Sequence, residues 1–384
     1  MKNVYLDHSA TTRIKNRIFD EMLPYLTNYF ENPSSIYYGG KKVKGAIEDC
    51  RNKIANLLNC NRKEIYFTSC ATESNNWAIK GIAQANKHKG NHIVTSKIEH
   101  PSILESCHYL EKNGFTVTYL PVNEYGLISL EALENSITDK TTLVSIMFAN
   151  NEVGTIQPIK EIGDICKNKN VYFHTDAVQA IGNINIKLNE YNIDMLSLSG
   201  HKIYGPKGIG LLFIKNGVNI DPLIHGGSQE NSRRAGTENA ANCIGLAYAL
   251  EEVYNNMERN INRLVTLRNN LIDGIQLNIP CSKLNGHPIK RLPNNANFSF
   301  SGVNGKTLVT LLDKLNIQIS SGSACSCGSL NASHVLLALG LPDKLASESI
   351  RLTLGENTTN EDIDYIIGNL TSIIENLRTK NSNY

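Results

Sequence analysis

The sequence predicts an α/β protein in which a large domain with a mostly parallel sheet is accompanied by a smaller α/β domain. Three observations carry that expectation. Short apolar, β-branched runs alternate with stretches of helical periodicity along most of the chain. The pattern changes after Pro280, where strands and helices continue at a different spacing. The chain has 384 residues, which at roughly 100–200 residues per domain corresponds to about two or three domains.

Taken in order, residues 39–59 place Val43, Ile47, Ile54, Leu57 and Leu58 at helical spacing. Ile65–Thr68 is a strand, and small residues lead from it into a helix over Ala71–Lys80. Further strands are expected at His92–Ser96, Thr116–Leu120, Thr142–Phe148, Val171–His174, Met195–Leu198 and Gly210–Ile214. Continuous apolar runs of this kind suit strands covered on both faces, as in a parallel sheet. Helical stretches between them, such as Ser102–Lys112 and Pro158–Lys169, give βαβ units with right-handed crossovers. A helix-rich region runs from Thr237 to about Asn278. Beyond Pro280, strands at Asn297–Ser301 and Ile317–Ser320 accompany helices at Lys306–Leu315, Ser333–Leu339 and Asn360–Leu377. The polar end, 379–384, is expected to fray.

Hydrophobic residues make up 41% and charged residues 19%, an ordinary globular composition that argues against wholesale disorder. A net charge of +2, with lysines scattered rather than clustered, argues against a protein built to grip nucleic acid. The opening Met1–His8 lacks an apolar signal core, and no long uncharged apolar stretch suggests a membrane span. A cytoplasmic location is therefore expected. The nine cysteines are then reduced thiols, several of them small core residues.

Several segments carry chemistry. In Ser199–Gly208, small residues surround Lys202 just past a strand, where a partly desolvated amine becomes a nucleophile; a solvated glycine-rich loop is the plain alternative. Asp176, after an apolar run, is costly to bury without a cation such as a protonated pyridine nitrogen, or else caps the next helix. Ser69–Ser74 offers a helix start suited to a phosphate, or an ordinary cap. His100 follows a strand and is either a stacking or proton-moving imidazole or a loop histidine without a role. The Ser320–Ser329 stretch sets Cys325 among small polar residues, as befits a nucleophilic thiol. Cys325 and Cys327 could instead be incidental or a metal-ligand pair, although no further cysteine or histidine clusters beside them. Arg351 alternates with apolar neighbours, and its fork suits a carboxylate or a surface ion pair.

Together, and in this order, these segments resemble the NifS/IscS-type cysteine desulfurases of the class V aminotransferase family. The resemblance runs over nearly the whole chain. It starts at Tyr5–Thr12, Asn32–Ser35 and Ala71–Asn76, and continues through Asn150–Gly154, His174–Gln179 and Ser199–Gly208. Arg234–Asn239, Ser321–Cys325 and Ser349–Arg351 complete it. It implies the aspartate-aminotransferase-like fold of pyridoxal-phosphate-dependent transferases. A large domain, 14–255, would hold a mostly parallel seven-stranded sheet. A small domain, 1–13 with 256–384, would bear the catalytic cysteine loop at about 320–332.

The resemblance also implies roles. Lys202 would bond covalently to pyridoxal phosphate, Asp176 would pair with its ring nitrogen, Gln179 would contact its hydroxyl, and His100 would stack on the ring and take part in catalysis. Thr72, Ser199 and His201 would hold the phosphate, joined by Thr237 of a neighbouring subunit in a homodimer, and Ala71 would also bind the cofactor. Asn151 would contact cofactor and substrate, Arg351 would bind the carboxylate of L-cysteine, and Cys325 would receive the sulfur. That sulfur would pass to an acceptor protein serving iron–sulfur assembly or tRNA thiolation. A selenocysteine lyase or an aminotransferase of the same class is the alternative reading. Cys70, Cys327 and Asn331–Ser333 depart from the family pattern without removing a required group.

Overall fold

The computed structural model describes residues 2–321 and 332–381. Its central seven-stranded sheet runs in the order Ile65–Thr68, Gly210–Ile214, Met195–Ser199, Tyr172–Asp176, Thr141–Ser145, His92–Ser96, Thr116–Leu120. Gly210–Ile214 runs antiparallel to both its neighbours, and the remaining adjacent pairs are parallel. The reversal has a simple cause. Only residues 200–209 separate Ser199 from its register partner Gly210, too few for the helical crossover that a parallel neighbour needs.

Side chains leave each strand alternately to the two faces. Val144, Phe173, Leu196, Leu211 and Phe213 pack on one face with Val43, Ile47 and Ile54 of helix Tyr38–Leu58 and with Ile244 of helix Ala240–Asn255. Leu143, Met195, Leu212 and Ile214 pack on the other with Trp77 and Ile82 of helix Ala71–Ala85 and with Ile103 of helix Pro101–Glu111. The layered α/β arrangement expected from the apolar runs is the one observed.

A separate core joins Val4 and Leu6 to residues far along the chain, including Leu271, Phe298, Leu352 and Ile374. Around it lies a four-stranded antiparallel sheet in the order Ser320–Ser321, Ser349–Thr353, Asn295–Phe300, Ser282–Leu284. The two-residue strand Val4–Tyr5, too short to show in the sequence, pairs with Ile317–Gln318. It launches residues 7–12 across to the large sheet, where Thr12 N donates to His201 O.

Element ends differ from expectation by small amounts with physical reasons. The strand expected over Val171–His174 reaches Asp176, because Asp176 still registers with Ser197. The strand expected over Thr142–Phe148 is regular only to Ser145, although Ile146 N and Phe148 N go on donating to His174 O and Asp176 O. The helix expected over Ala71–Lys80 continues to Ala85 through a further turn of apolar contacts.

Candidate active site

The parallel strands share one carboxyl edge, and the residues just beyond it surround a cavity of about 260 Å³. The position follows from topology. The strands His92–Ser96 and Thr141–Ser145 are neighbours, yet the helices that follow them, Pro101–Glu111 and Ile159–Asn168, pack on opposite faces. Such a switch point opens a crevice where ligands bind in open α/β sheets. His100 comes from one side of it, and Met147, Ala149 and Asn151 come from the other.

Helix Ala71–Ala85 points its N-terminus at the cavity, and no side chain caps it. Its first amides, at Ala71 and Thr72, are thus available to an anion. The backbone approaches closely here: a Cβ on Gly210 would lie 2.5 Å from the Cys70 carbonyl carbon, so that site requires glycine. Ser199 ends its strand beneath this corner, and its buried Oγ has no protein partner. His201 adds its ring, with Nδ1 3.2 Å from Thr11 Oγ1. Burial, helped by Lys202 and Lys207, pulls the His201 pKa down to about 4.

Asp176 is buried at its strand end. Asn75 Nδ2 donates to its Oδ2 at 2.7 Å, and Val178 N donates to its Oδ1 at 3.0 Å. Asn75 and Ser102, joined at 2.9 Å, were not legible as site residues; both face inward from helices where they resemble ordinary polar positions. His100 caps helix Pro101–Glu111, with Nδ1 2.8 Å from Ser102 Oγ. Burial holds its pKa below the ordinary imidazole range, Lys202 and His334 act in the same direction, and Asp176 opposes them. Gln179 Nε2 donates to Ser9 O at 3.0 Å. Lys202 Nζ donates to the carbonyls of Ser9 and Ala10, the latter at 2.7 Å.

Ala71, Thr72, His100, Asn151, Asp176, Gln179, Ser199, His201 and Lys202 therefore line one cavity. Two other expected residues sit elsewhere in the chain described. Arg351 is buried beside the cavity rather than on its wall, with Nη2 donating to Asp7 Oδ1 at 2.7 Å and Nη1 to Asn151 O at 3.1 Å. Its Nε has no partner. Thr237 is exposed and does not reach this protomer's cavity. Cys325 and Cys327 lie outside the described residues.

A larger cavity, about 420 Å³, lies at the opposite end of the sheet and is rimmed by Lys89, Lys167, Lys169 and Lys215. Three of those lysines stand at or just past the C-terminal ends of helices Ala71–Ala85 and Ile159–Asn168, where they offset the helix dipoles.

Residues 4–366 match the family described as Aminotransferase class-V. The chain belongs to that family. Among similar relatives is the cysteine desulfurase IscS of Clostridium botulinum, 55% identical over 98% of this chain and 96% of its own. The cysteine desulfurase IscS of Methanosarcina thermophila is 53% identical over 98% of this chain and 93% of its own. A solved structure titled NifS-like protein superimposes with a TM-score of 0.92 at 38% identity, covering 97% of this chain and 100% of its own. One titled SspA in complex with cysteine gives a TM-score of 0.81 at 37% identity, covering 91% and 98%.

Class V members are pyridoxal-phosphate enzymes, and pyridoxal phosphate is the cofactor of this chain. The donor set fits it. Among the described residues, the helix start is uncapped and Ser199 Oγ is unpartnered, which suits a phosphate, and the buried Asp176 carboxyl has no cation in hydrogen-bond contact, which suits a protonated ring nitrogen. A lysine amine at the same cavity suits an aldehyde.

Proposed function

We propose that this class V chain is a cysteine desulfurase in which Lys202, Asp176, His100 and Arg351 process L-cysteine and Cys325 receives its sulfur. One observation carries the reading: an amine, a buried carboxylate and an imidazole from three separate strand ends converge on a single cavity. Pyridoxal phosphate, when bound, supplies the electron sink that makes the proton on the substrate α-carbon acidic. Lys202 would anchor the cofactor covalently and, once the substrate amine displaces it, would be the free amine placed to take and return that proton. Asp176, fixed by Asn75 and Val178, would set its carboxyl oxygens where a protonated ring nitrogen needs a partner. His100, held neutral by burial, offers a flat apolar face and a nitrogen able to accept a proton. The Ala71–Thr72 amides, with Ser199, His201 and Gln179, seat the cofactor's anionic and hydroxyl groups. Asn151 on the cavity wall, and Arg351 behind it in exchange for its bond to Asp7, would receive the substrate carboxylate.

Sulfur transfer then balances simply. The Cys325 thiolate attacks the substrate sulfur, a sulfur–sulfur bond forms, the substrate carbon–sulfur bond breaks, and the carbon takes up a proton. The products are L-alanine and a persulfide on Cys325. A thiolate does this only if it is accessible and its proton is readily lost, which the small polar neighbours of Cys325 favour.

The wider setting belongs to the same reading. The chain divides into 14–255 and 1–13 with 256–384, which the separate core joining Val4 and Leu6 to Ile374 supports. It acts in the cytoplasm as a homodimer, takes no nucleic acid directly, and hands sulfur to an acceptor protein for iron–sulfur assembly or tRNA thiolation. None of the helices among the described residues is long and apolar enough to cross a membrane.

Mass spectrometry after brief exposure to L-cysteine tests the core of the proposal. A gain of one sulfur on the Cys325 peptide is expected, and Cys325→Ala should remove both that gain and sulfide release while cofactor absorbance persists. Sulfide release undiminished in Cys325→Ala would refute the persulfide role.

A further inference from the structure

Two side chains on the far side of the cavity wall have no part in the reading above. Ser333 and His334 open the short helix His334–Ala338, and both reach across to backbone turns that carry cavity residues. Ser333 Oγ donates to Glu152 Oε2 at 2.5 Å and accepts from Leu336 N at 3.2 Å. Its single hydroxyl thus caps its own helix and binds the opposite carboxylate. His334 Nε2 stands 3.0 Å from Glu99 O. A carbonyl can only accept, so Nε2 is the protonated nitrogen of that ring.

The groups they grip are the chain neighbours of site residues. Glu152 follows Asn151, whose carbonyl receives Arg351 Nη1. The Glu152 carbonyl in turn receives Asn295 Nδ2 and Asn297 Nδ2, both at 3.2 Å, and Asn297 registers with Arg351 across the small sheet. Glu99 precedes His100. Ser333 and Glu152 are both buried, so the carboxylate finds no water to replace a lost donor. A buried hydrogen bond of this kind, desolvated on both sides, fixes geometry more firmly than an exposed one.

We propose that Ser333 and His334 are positioning residues of the desulfurase site, Ser333 aligning Asn151 and Arg351 through Glu152, and His334 aligning His100 through the Glu99 carbonyl. The proposal rests on Arg351 and Asn151 being the seat of the substrate carboxylate. It makes two adjacent residues hold two opposite parts of the site, so each should govern a different kinetic parameter. Loss of Ser333 loosens the carboxylate seat and weakens substrate binding. Loss of His334 shifts the imidazole and slows the chemistry.

Steady-state kinetics on cofactor-loaded enzyme, with L-cysteine as substrate and melting temperature recorded alongside, separate these effects from mere destabilisation. Ser333→Ala should raise KM about tenfold with kcat nearly unchanged, the loss expected when one buried acceptor is left without its donor. Ser333→Thr, which keeps the hydroxyl, should restore KM. His334→Phe should lower kcat roughly fivefold at similar KM, and His334→Gln, whose amide can donate to the same carbonyl, should recover most of it. Unchanged kinetics in Ser333→Ala and His334→Phe, with only the melting temperature lowered, overturn the proposal. Arg351→Lys serves as the control on the seat itself. If it raises KM while Ser333→Ala does not, positioning by Ser333 fails and the Arg351 reading survives; if neither moves KM, both fail.

Discussion

Glu99 illustrates how much a single buried atom can set. Ser96 Oγ and Met147 N both donate to its Oε1, while its Oε2 has no partner and no water can reach it. Burial, with a smaller push from Asp176, lifts its pKa to about 8 against the two hydrogen bonds. In the unfolded chain the same carboxyl ionises near pH 4.3. Between those values the folded state binds more protons than the unfolded state, so stability falls as pH rises, by up to about 1.4 kcal/mol per pH unit. Glu99→Gln abolishes that titration. Its melting temperature relative to the parent should rise steadily from pH 5 to pH 8 and level off above; a pH-independent gap would show the carboxyl to be ionised throughout. Lys202 gives the complementary residue-scale test. Borohydride should fix the cofactor onto the peptide bearing Lys202, and Lys202→Ala should abolish the label and lower activity by about 10²–10⁴. Lys202, Asp176 and His100 stood out as candidates because each lies at or past a strand end, and the structure brings the three to one cavity, whereas Cys325 lies outside the described residues. Asn75 and Ser102 did not stand out, since polar residues on helices are common and only the folded structure turns these two toward Asp176 and His100.

Among elements, the strands of the large sheet were legible because they are covered on both faces and so form unbroken apolar runs. The antiparallel turn of Gly210–Ile214 and the Val4–Tyr5 strand were not, because loop length and distant pairing decide them. Nor did the sequence reveal the tie that fastens helix Tyr38–Leu58 to the segment before Arg234. Arg51 Nη1 and Nη2 both donate to Glu230 at 2.8 Å, and Phe67 N donates to the same carboxylate at 3.0 Å. All three meet where both side chains are buried. Removing Glu230 leaves the buried Arg51 guanidinium with Glu48 Oε1, 3.2 Å from its Nε, and the Ile65 carbonyl in place of its buried partner, whereas removing both members of a buried pair can cost little. Glu230→Met should destabilise the fold by about 3–5 kcal/mol in chemical denaturation. The double variant Arg51→Met with Glu230→Met should lose clearly less. Equal losses would mean that the backbone contact to Phe67, not the ion pair, dominates.

At the scale of the molecule, the protomer leaves two features unsatisfied by itself. Thr237 lies exposed beyond the Arg234–Glu73 ion pair, away from the phosphate corner it is expected to serve. A run of large apolar side chains is also bare: Phe19, Leu23, Leu26, Phe30, Ile36, Tyr37 and Tyr38 are all exposed within one short stretch. Patches of this kind on a soluble surface mark association sites. We propose that a second copy of this chain covers them and that, in the homodimer expected from the sequence, each Thr237 serves the other protomer's cavity. Complementation makes the arrangement testable. Lys202→Ala and Thr237→Asp should each be poorly active alone, the first for want of its amine and the second because a carboxylate repels the cofactor phosphate. In a mixed dimer, one cavity pairs an intact Lys202 with the intact Thr237 of the partner chain. Co-refolding the two variants should therefore restore about a quarter of the parental activity, since about half the dimers are mixed and each has one sound site. If Thr237 served its own protomer instead, each cavity in the mixed dimer would carry one defect and mixing would restore nothing.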